Sequence, residues 1–101
     1  MFEEIRNKMR EKVRNLEYVM TIHAEEEMEN DVLSIFDVEN AILTGEILER
    51  QKDAITNEWK YLIGGKTLDD DDIIVVAKIS LTDKLVIITV YREKFEYDES
   101  K

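Results

Sequence analysis

Two stretches constrain this chain more than anything else in it: Ile-Ile-Val-Val-Ala at 73–77 and Leu-Val-Ile-Ile-Thr-Val at 85–90. A strand with one wet face alternates apolar and polar residues. These two do not alternate, so both of their faces need cover, as in the middle of a sheet. Only Leu81, Thr82 and Asp83 separate the segments 72–80 and 84–92. A break that short joins antiparallel neighbours in a hairpin. Two further strands are expected at 46–51 and 57–65, where Trp59, Tyr61 and Ile63 alternate with Lys60 and Leu62. The second half of the chain therefore reads as a four-stranded antiparallel sheet.

The first half reads as helix. Phe2, Ile5, Met9, Val13 and Leu16 recur every three or four residues and make an apolar stripe over 1–16. Residues 17–21 form a short mixed segment suited to an edge strand. A helix follows over 22–33, opened by Thr21 or His23, with acids in its first turns where the helix dipole favours them. A third helix spans 34–45. Ser34 and Asp37 outline a capping box, Ile35, Val38, Ala41 and Ile42 form the buried stripe, and Gly45 is placed to cap the C-terminus. The predicted class is α+β: two to three N-terminal helices packed on a four-stranded antiparallel, curved sheet. The 101 residues make one domain, divided into an N-terminal amphipathic helix (1–16), a core (17–92) and a charged tail (93–101). That tail either frays or runs on as an edge strand with Phe95 and Tyr97 packed.

Composition narrows the setting. With no cysteine there is neither a disulfide framework nor a thiolate metal site. No apolar run approaches the roughly 18–20 residues that span a bilayer, and residues 1–12 lack the features of a signal peptide. A soluble, cytoplasmic chain without membrane contact is expected. The formal net charge is −10, which repels phosphate at long range, although salt screens this over about 8 Å. Cations gather locally: residues 1–14 hold five against three acids. Arg6, Arg10 and Arg14 line one helix face, beside Lys8 and Lys12. That face is either a dock for an acidic partner or RNA phosphates, or an ordinary solvated surface.

The segment from His23 to Asp53, then Trp-Lys-Tyr-Leu-Ile-Gly-Gly-Lys at 59–66, then Lys-Leu-Val-Ile-Ile-Thr-Val-Tyr at 84–91, resembles the domain-of-unknown-function family 4258. The resemblance runs from about Tyr18 to Arg92. Its marks are a His-Ala pair opening a helix, a Ser-x-x-Asp-Val second helix ending in Gly-Glu-Ile, and a final Thr-Val-Tyr. The family is similar to small ribonuclease toxins of the RelE-like and MqsR-like kind (the BECR fold). The resemblance implies a type II toxin–antitoxin endoribonuclease, an mRNA interferase, with a helical pair on a curved sheet. It also implies RNA, as ribosome-bound mRNA, and a small zinc-finger antitoxin of MqsA-like type as partners, with a homodimer left open. Most members carry arginine four residues after the histidine, where this chain has Glu27.

Metal-independent RNA cleavage needs a base for the ribose 2′-hydroxyl, cations for the phosphorane and an acid for the leaving oxygen. No cofactor or metal enters that scheme. Histidine, with an unperturbed pKa of about 6.5, suits the first or last role. The catalytic candidates are His23, Tyr91, Lys60 and Lys78. Arg50, Thr89 and Arg92 are candidates for RNA binding, and Arg6, Arg10 and Arg14 for a partner. Simple alternation puts Leu85, Ile87, Thr89 and Tyr91 on one face and Val86, Ile88, Val90 and Arg92 on the other, unless a bulge intervenes. Tyr91 with Thr89 is favoured, as the family's Thr-Val-Tyr suggests. Each candidate has a plain structural alternative. His23 also fits a hydrogen-bonded helix-start residue, Trp59 and Tyr61 fit core as well as base stacking, and the four aspartates at 69–72 fit a solvated hairpin tip better than a cation loop. Two functions remain: an endoribonuclease toxin, and a non-catalytic protein-interaction module of the same fold.

Overall fold

The computed structural model describes residues 1–93, so the tail expectation for Phe95 and Tyr97 lies outside the described residues. Three helices, α1 (Glu3–Arg14), α2 (Ile22–Asn30) and α3 (Ile35–Thr44), lie on one face of a five-stranded sheet. The strands are β1 (Tyr18–Met20), β2 (Glu46–Lys52), β3 (Trp59–Lys66), β4 (Asp72–Ile79) and β5 (Leu85–Arg92), in the order β1-β5-β4-β3-β2. The class is α+β, but the sheet is mixed rather than antiparallel throughout. β1 pairs in parallel with β5, Tyr18 opposite Leu85 and Met20 opposite Ile87. Three residues are too few to show a period of two. The direction of β1 follows from where α1 ends: the chain turns at Leu16 (φ 57°) and Glu17 O accepts from Leu85 N. Leu16 is thereby turned out, at 73% exposure, and is not part of the apolar stripe expected of α1.

The core lies between the helices and the sheet. Met9 and Val13 of α1, Ala24 and Met28 of α2, and Val38, Ala41 and Ile42 of α3 meet Ile63, Ile73, Val75, Ala77, Leu85, Ile87 and Val90 from the sheet. Each fully buried isoleucine or leucine among them contributes about 1.5–3 kcal/mol. The central strands are apolar on both faces, as their composition requires. Ile74 and Val76 point away from the helices and are still only 4% and 8% exposed.

α3 sits very close to β3, and the glycines explain how. A Cβ on Gly65 would lie 2.5 Å from Ala41 O, and one on Gly45 would lie 2.4 Å from Gly64 O. Gly45 does end α3, but with φ −89° and extended backbone. It is needed for close approach, not for the left-handed turn expected of a capping glycine. At the other end the capping box forms in full: Asp37 N donates to Ser34 Oγ, and Ser34 N to Asp37 Oδ2.

Two bulges set which side chains share a face. On β5 the register passes from Ala77 opposite Ile87 to Val76 opposite Thr89, leaving Ile88 unpaired. Leu85 and Ile87 therefore share the helix face with Val90 and Arg92, and the face assignment from simple alternation is corrected at that point. On β2, Leu48 is the extra residue between Ile47 and Glu49.

Candidate functional site

α2 lies along β5 and takes over where β1 stops. β1 pairs with β5 only as far as Ile87, and Thr21 N donates to Ile87 O at 3.0 Å. Beyond that point the edge of β5 would be bare. Thr21, the N-cap of α2, instead donates its hydroxyl to Ile88 O at 2.9 Å while accepting from Ala24 N. Glu27 Oε1 accepts from Val90 N at 3.1 Å, and Asp31 Oδ2 accepts from Arg92 N at 3.1 Å. Glu27 and Asp31 are four apart on a helix and Val90 and Arg92 two apart on a strand. Four helical residues advance about 6 Å and two strand residues about 7 Å, so the two ladders keep step. α2 thus supplies the polar contacts of the missing strand with side chains instead of backbone.

His23 stands one turn earlier on the same row. Its Nε2 is 3.3 Å from Glu27 Oε1, and its side chain is 63% exposed. One carboxylate oxygen therefore holds the Val90 amide and meets the imidazole. Glu27 thus links the ring to the amide of Val90, one residue before Tyr91 in β5. The Tyr91 phenol leaves from the other side, since Tyr91 pairs with Ile74 on the face away from the helices. Thr89, opposite Val76, shares that face.

Lys60 and Lys78 are on this open face too, set across from each other by the β3–β4 register. They occupy its far end. Lys78 is four residues along β4 from Ile74, the partner of Tyr91, or about 13 Å of strand. Lys78 Nζ also bonds Glu58 Oε1 at 2.7 Å. Arg92 faces the helices: its Nε donates to Asp31 O at 2.9 Å and its Nη1 to Asp71 at 3.1 Å. It clamps the α2–α3 corner, where Val32 is held at φ 54°, a costly conformation for a β-branched residue. Arg50 is also on the helix side. It stacks over Trp59 at 4.1 Å, with the Lys52 ammonium 5.3 Å from the same ring. Arg50 and Tyr61 line a groove of about 570 Å³ against the start of α1, where Phe2 meets the Tyr61 ring edge-on.

The basic row of α1 is largely engaged within the molecule. Arg10 donates to Ile42 O at 3.1 Å and Gly45 O at 2.6 Å, satisfying the last carbonyls of α3. Arg6 pairs with Glu46 at 3.1 Å. Lys12, only 7% exposed, bonds Asp83 at 2.8 Å, and Lys8 pairs with the same carboxylate at 3.2 Å. The hydrogen bond to Lys12, backed by Lys8, holds the Asp83 carboxyl below its ordinary range. Arg14 is exposed at the end of the row. Between β1 and α3, burial and the hydrogen bond to Glu39 push the Tyr18 phenol up to about 12, so Tyr18 is a neutral donor there.

The structure thus brings His23 and Glu27 together, groups Tyr91 with Thr89 and Lys60 with Lys78, and sets the two lysines apart from Tyr91. Thr21, Glu27 and Asp31 were not singled out as a unit by sequence reasoning. The available signal was the i, i+4, i+8 spacing of His23, Glu27 and Asp31 on one helix directly after a strand. Among the described residues no group of three or more His, Cys, Asp or Glu side chains is placed to hold a metal ion. No helix in them is long and apolar enough to cross a membrane.

A helical layer on one face of a mixed sheet, with an acidic helix sealing the last strand, defines an α+β domain of small size. The pattern of the family described as Domain of unknown function (DUF4258) matches residues 20–92. The chain belongs to that family. No curated protein and no solved structure matches it.

Proposed function

We propose that this chain is a non-catalytic protein-interaction module that engages a basic partner. The observation that carries this reading is the separation of the nuclease candidates. A phosphorane needs its base, acid and cations within hydrogen-bond reach of one phosphate. Here the lysines stand about 13 Å along the sheet from Tyr91, and Lys78 is engaged with Glu58. The imidazole opens to solvent in a row shared with Glu27 and Asp31, which repel phosphate. Arg92, adjacent to Tyr91 in sequence, is turned to the helix side and engaged with Asp31, Val32 and Asp71. The net charge of −10 suits a cationic protein surface. Inducing the wild-type chain in bacteria tests this. Growth should continue and cellular RNA should stay intact. Growth arrest with RNA cleavage, relieved by His23→Ala or Tyr91→Phe, would overturn the reading.

One observation favours a second reading, a toxin-type endoribonuclease. The Glu27 carboxylate that accepts from the Val90 amide, next to Tyr91, also meets the His23 imidazole. A carboxylate that orients an imidazole is a common way to prepare a base. In this reading RNA would cross the edge of β5, ribosomal contacts would supply the missing cations, and a zinc-finger antitoxin would cover the site.

A further inference from the structure

α2 is an uncompensated acidic helix. It carries Glu25, Glu26, Glu27 and Glu29 and no lysine or arginine. Glu27 has work to do at the β5 edge. Glu25 and Glu29 do not: both are exposed, and among the described residues neither carboxylate has a cationic or hydrogen-bonding partner, whereas Glu46, Glu58, Asp71 and Asp83 all do. Glu25 and Glu29 are four apart, so they stand one above the other on one helix face. They rim a groove of about 530 Å³ whose remaining lining is Met20, Met28, Leu33 and Ile35. Met28 and Leu33 form its floor at 9% and 8% exposure. Ile22, one turn before Glu25, leaves a further apolar surface 73% exposed at the start of the helix.

An apolar trough walled by two unpaired carboxylates has a specific complement. From this geometry we propose that the groove between α2 and the start of α3 receives an arginine or lysine side chain from a basic segment of a protein partner. The methylenes of such a side chain lie on Met20, Met28 and Leu33, and its cation reaches Glu25 and Glu29. Methionines suit this role because the thioether adapts its shape to the guest. The same rim repels RNA phosphate. A second copy of this chain brings a like net charge, and most cations of its one basic helix are already paired. This inference deepens the interaction-module reading and rests on it, and it names both surface and partner chemistry.

The probe is a short acetylated peptide alternating leucine and arginine, titrated into the full chain labelled at its methionine methyls. Saturable shifts are expected at Met28 and Met20, with Met9, on the buried face of α1, unmoved. Glu25→Gln with Glu29→Gln should weaken binding by about tenfold, near 1.4 kcal/mol. Asp69→Asn with Asp70→Asn changes the net charge equally at the β3–β4 hairpin, and should alter binding less than about twofold on the same scale. A peptide alternating leucine and glutamate should not bind. Equal weakening by both double variants would reduce the attraction to diffuse charge and overturn the proposal, as would a Met28 methyl that does not move. RNA cleavage on induction bears on the interaction reading alone. Loss of peptide binding in a chain that leaves RNA intact bears on the groove alone.

Discussion

The two long edges of this sheet meet solvent in different ways. β2 runs along one side with no strand beyond it among the described residues. Five of its seven residues are charged or amide (Glu46, Glu49, Arg50, Gln51, Lys52), and a bulge at Leu48 breaks the ladder. Charge and a bulge are standard protection against edge-to-edge pairing. The outer half of β5, from Ile88 to Arg92, carries one charge, no acid and the β-formers Ile88, Thr89, Val90 and Tyr91, and would pair readily. It is closed by Thr21, Glu27 and Asp31 from α2. One edge is defended by its own side chains and the other is sealed by a helix. The difference shows that the carboxylate next to the only histidine has a structural duty, whatever else it does.

Breaking the sealed edge should have the largest effect. Glu27→Ala with Asp31→Ala leaves two part-buried amides without acceptors, and each lost charge-assisted bond costs about 1.5–3 kcal/mol. A total loss of about 3 kcal/mol in urea unfolding is expected. Glu27→Gln with Asp31→Asn, which keeps the acceptors, should recover most of it. If the alanine double variant were as stable as wild type, the seal would be incidental. Next in size is the corner that follows α2. Val32 is exposed and left-handed, so Val32→Asn should raise stability by about 1 kcal/mol. A fall instead would mean that the valine side chain, not its backbone, matters there.

Much of this frame is legible in the chain, and the illegible parts share a cause. The runs at 73–77 and 85–90 announce central strands because burial on both faces removes alternation. Ser34 and Asp37 announce a helix start because a capping box is local. β1 is too short to have a period, and the Ile88 bulge sits in a run where every residue is suited to either face. Glu27 is the sharpest case. Its partner amide is 63 residues away, and a contact over that distance leaves no pattern near either residue. The histidine drew attention, while the residue that organises this edge read only as a departure from family habit. The dispersal of Lys60, Lys78 and Tyr91 was equally hidden, because pleat parity reports the face but not the row.

Two smaller tests sharpen the contrast. Asp37 shows whether acid-to-amide capping is general in this fold. Burial alone would raise its carboxyl, but the Ser34 and Leu68 amides outweigh this and hold it below the ordinary value. Its contribution is therefore complete above about pH 4 and lost as pH falls through the lowered folded value. Wild type should lose stability below that point faster than Asp37→Asn, and parallel acid profiles would contradict the assignment. The smallest effect is expected at β2. Gln51→Val should change stability by less than about 0.5 kcal/mol. It should nevertheless promote self-association at high concentration, seen by sedimentation, because it removes a polar guard from an open edge.

Amide hydrogen exchange at Val90 tests the central claim most directly. If α2 replaces a strand, the Val90 and Arg92 amides should exchange slowly in wild type. Glu27→Ala should then make Val90 exchange markedly faster, while the central amides of β4 keep their rates. A Val90 amide that exchanges at the same rate in both proteins would contradict the account.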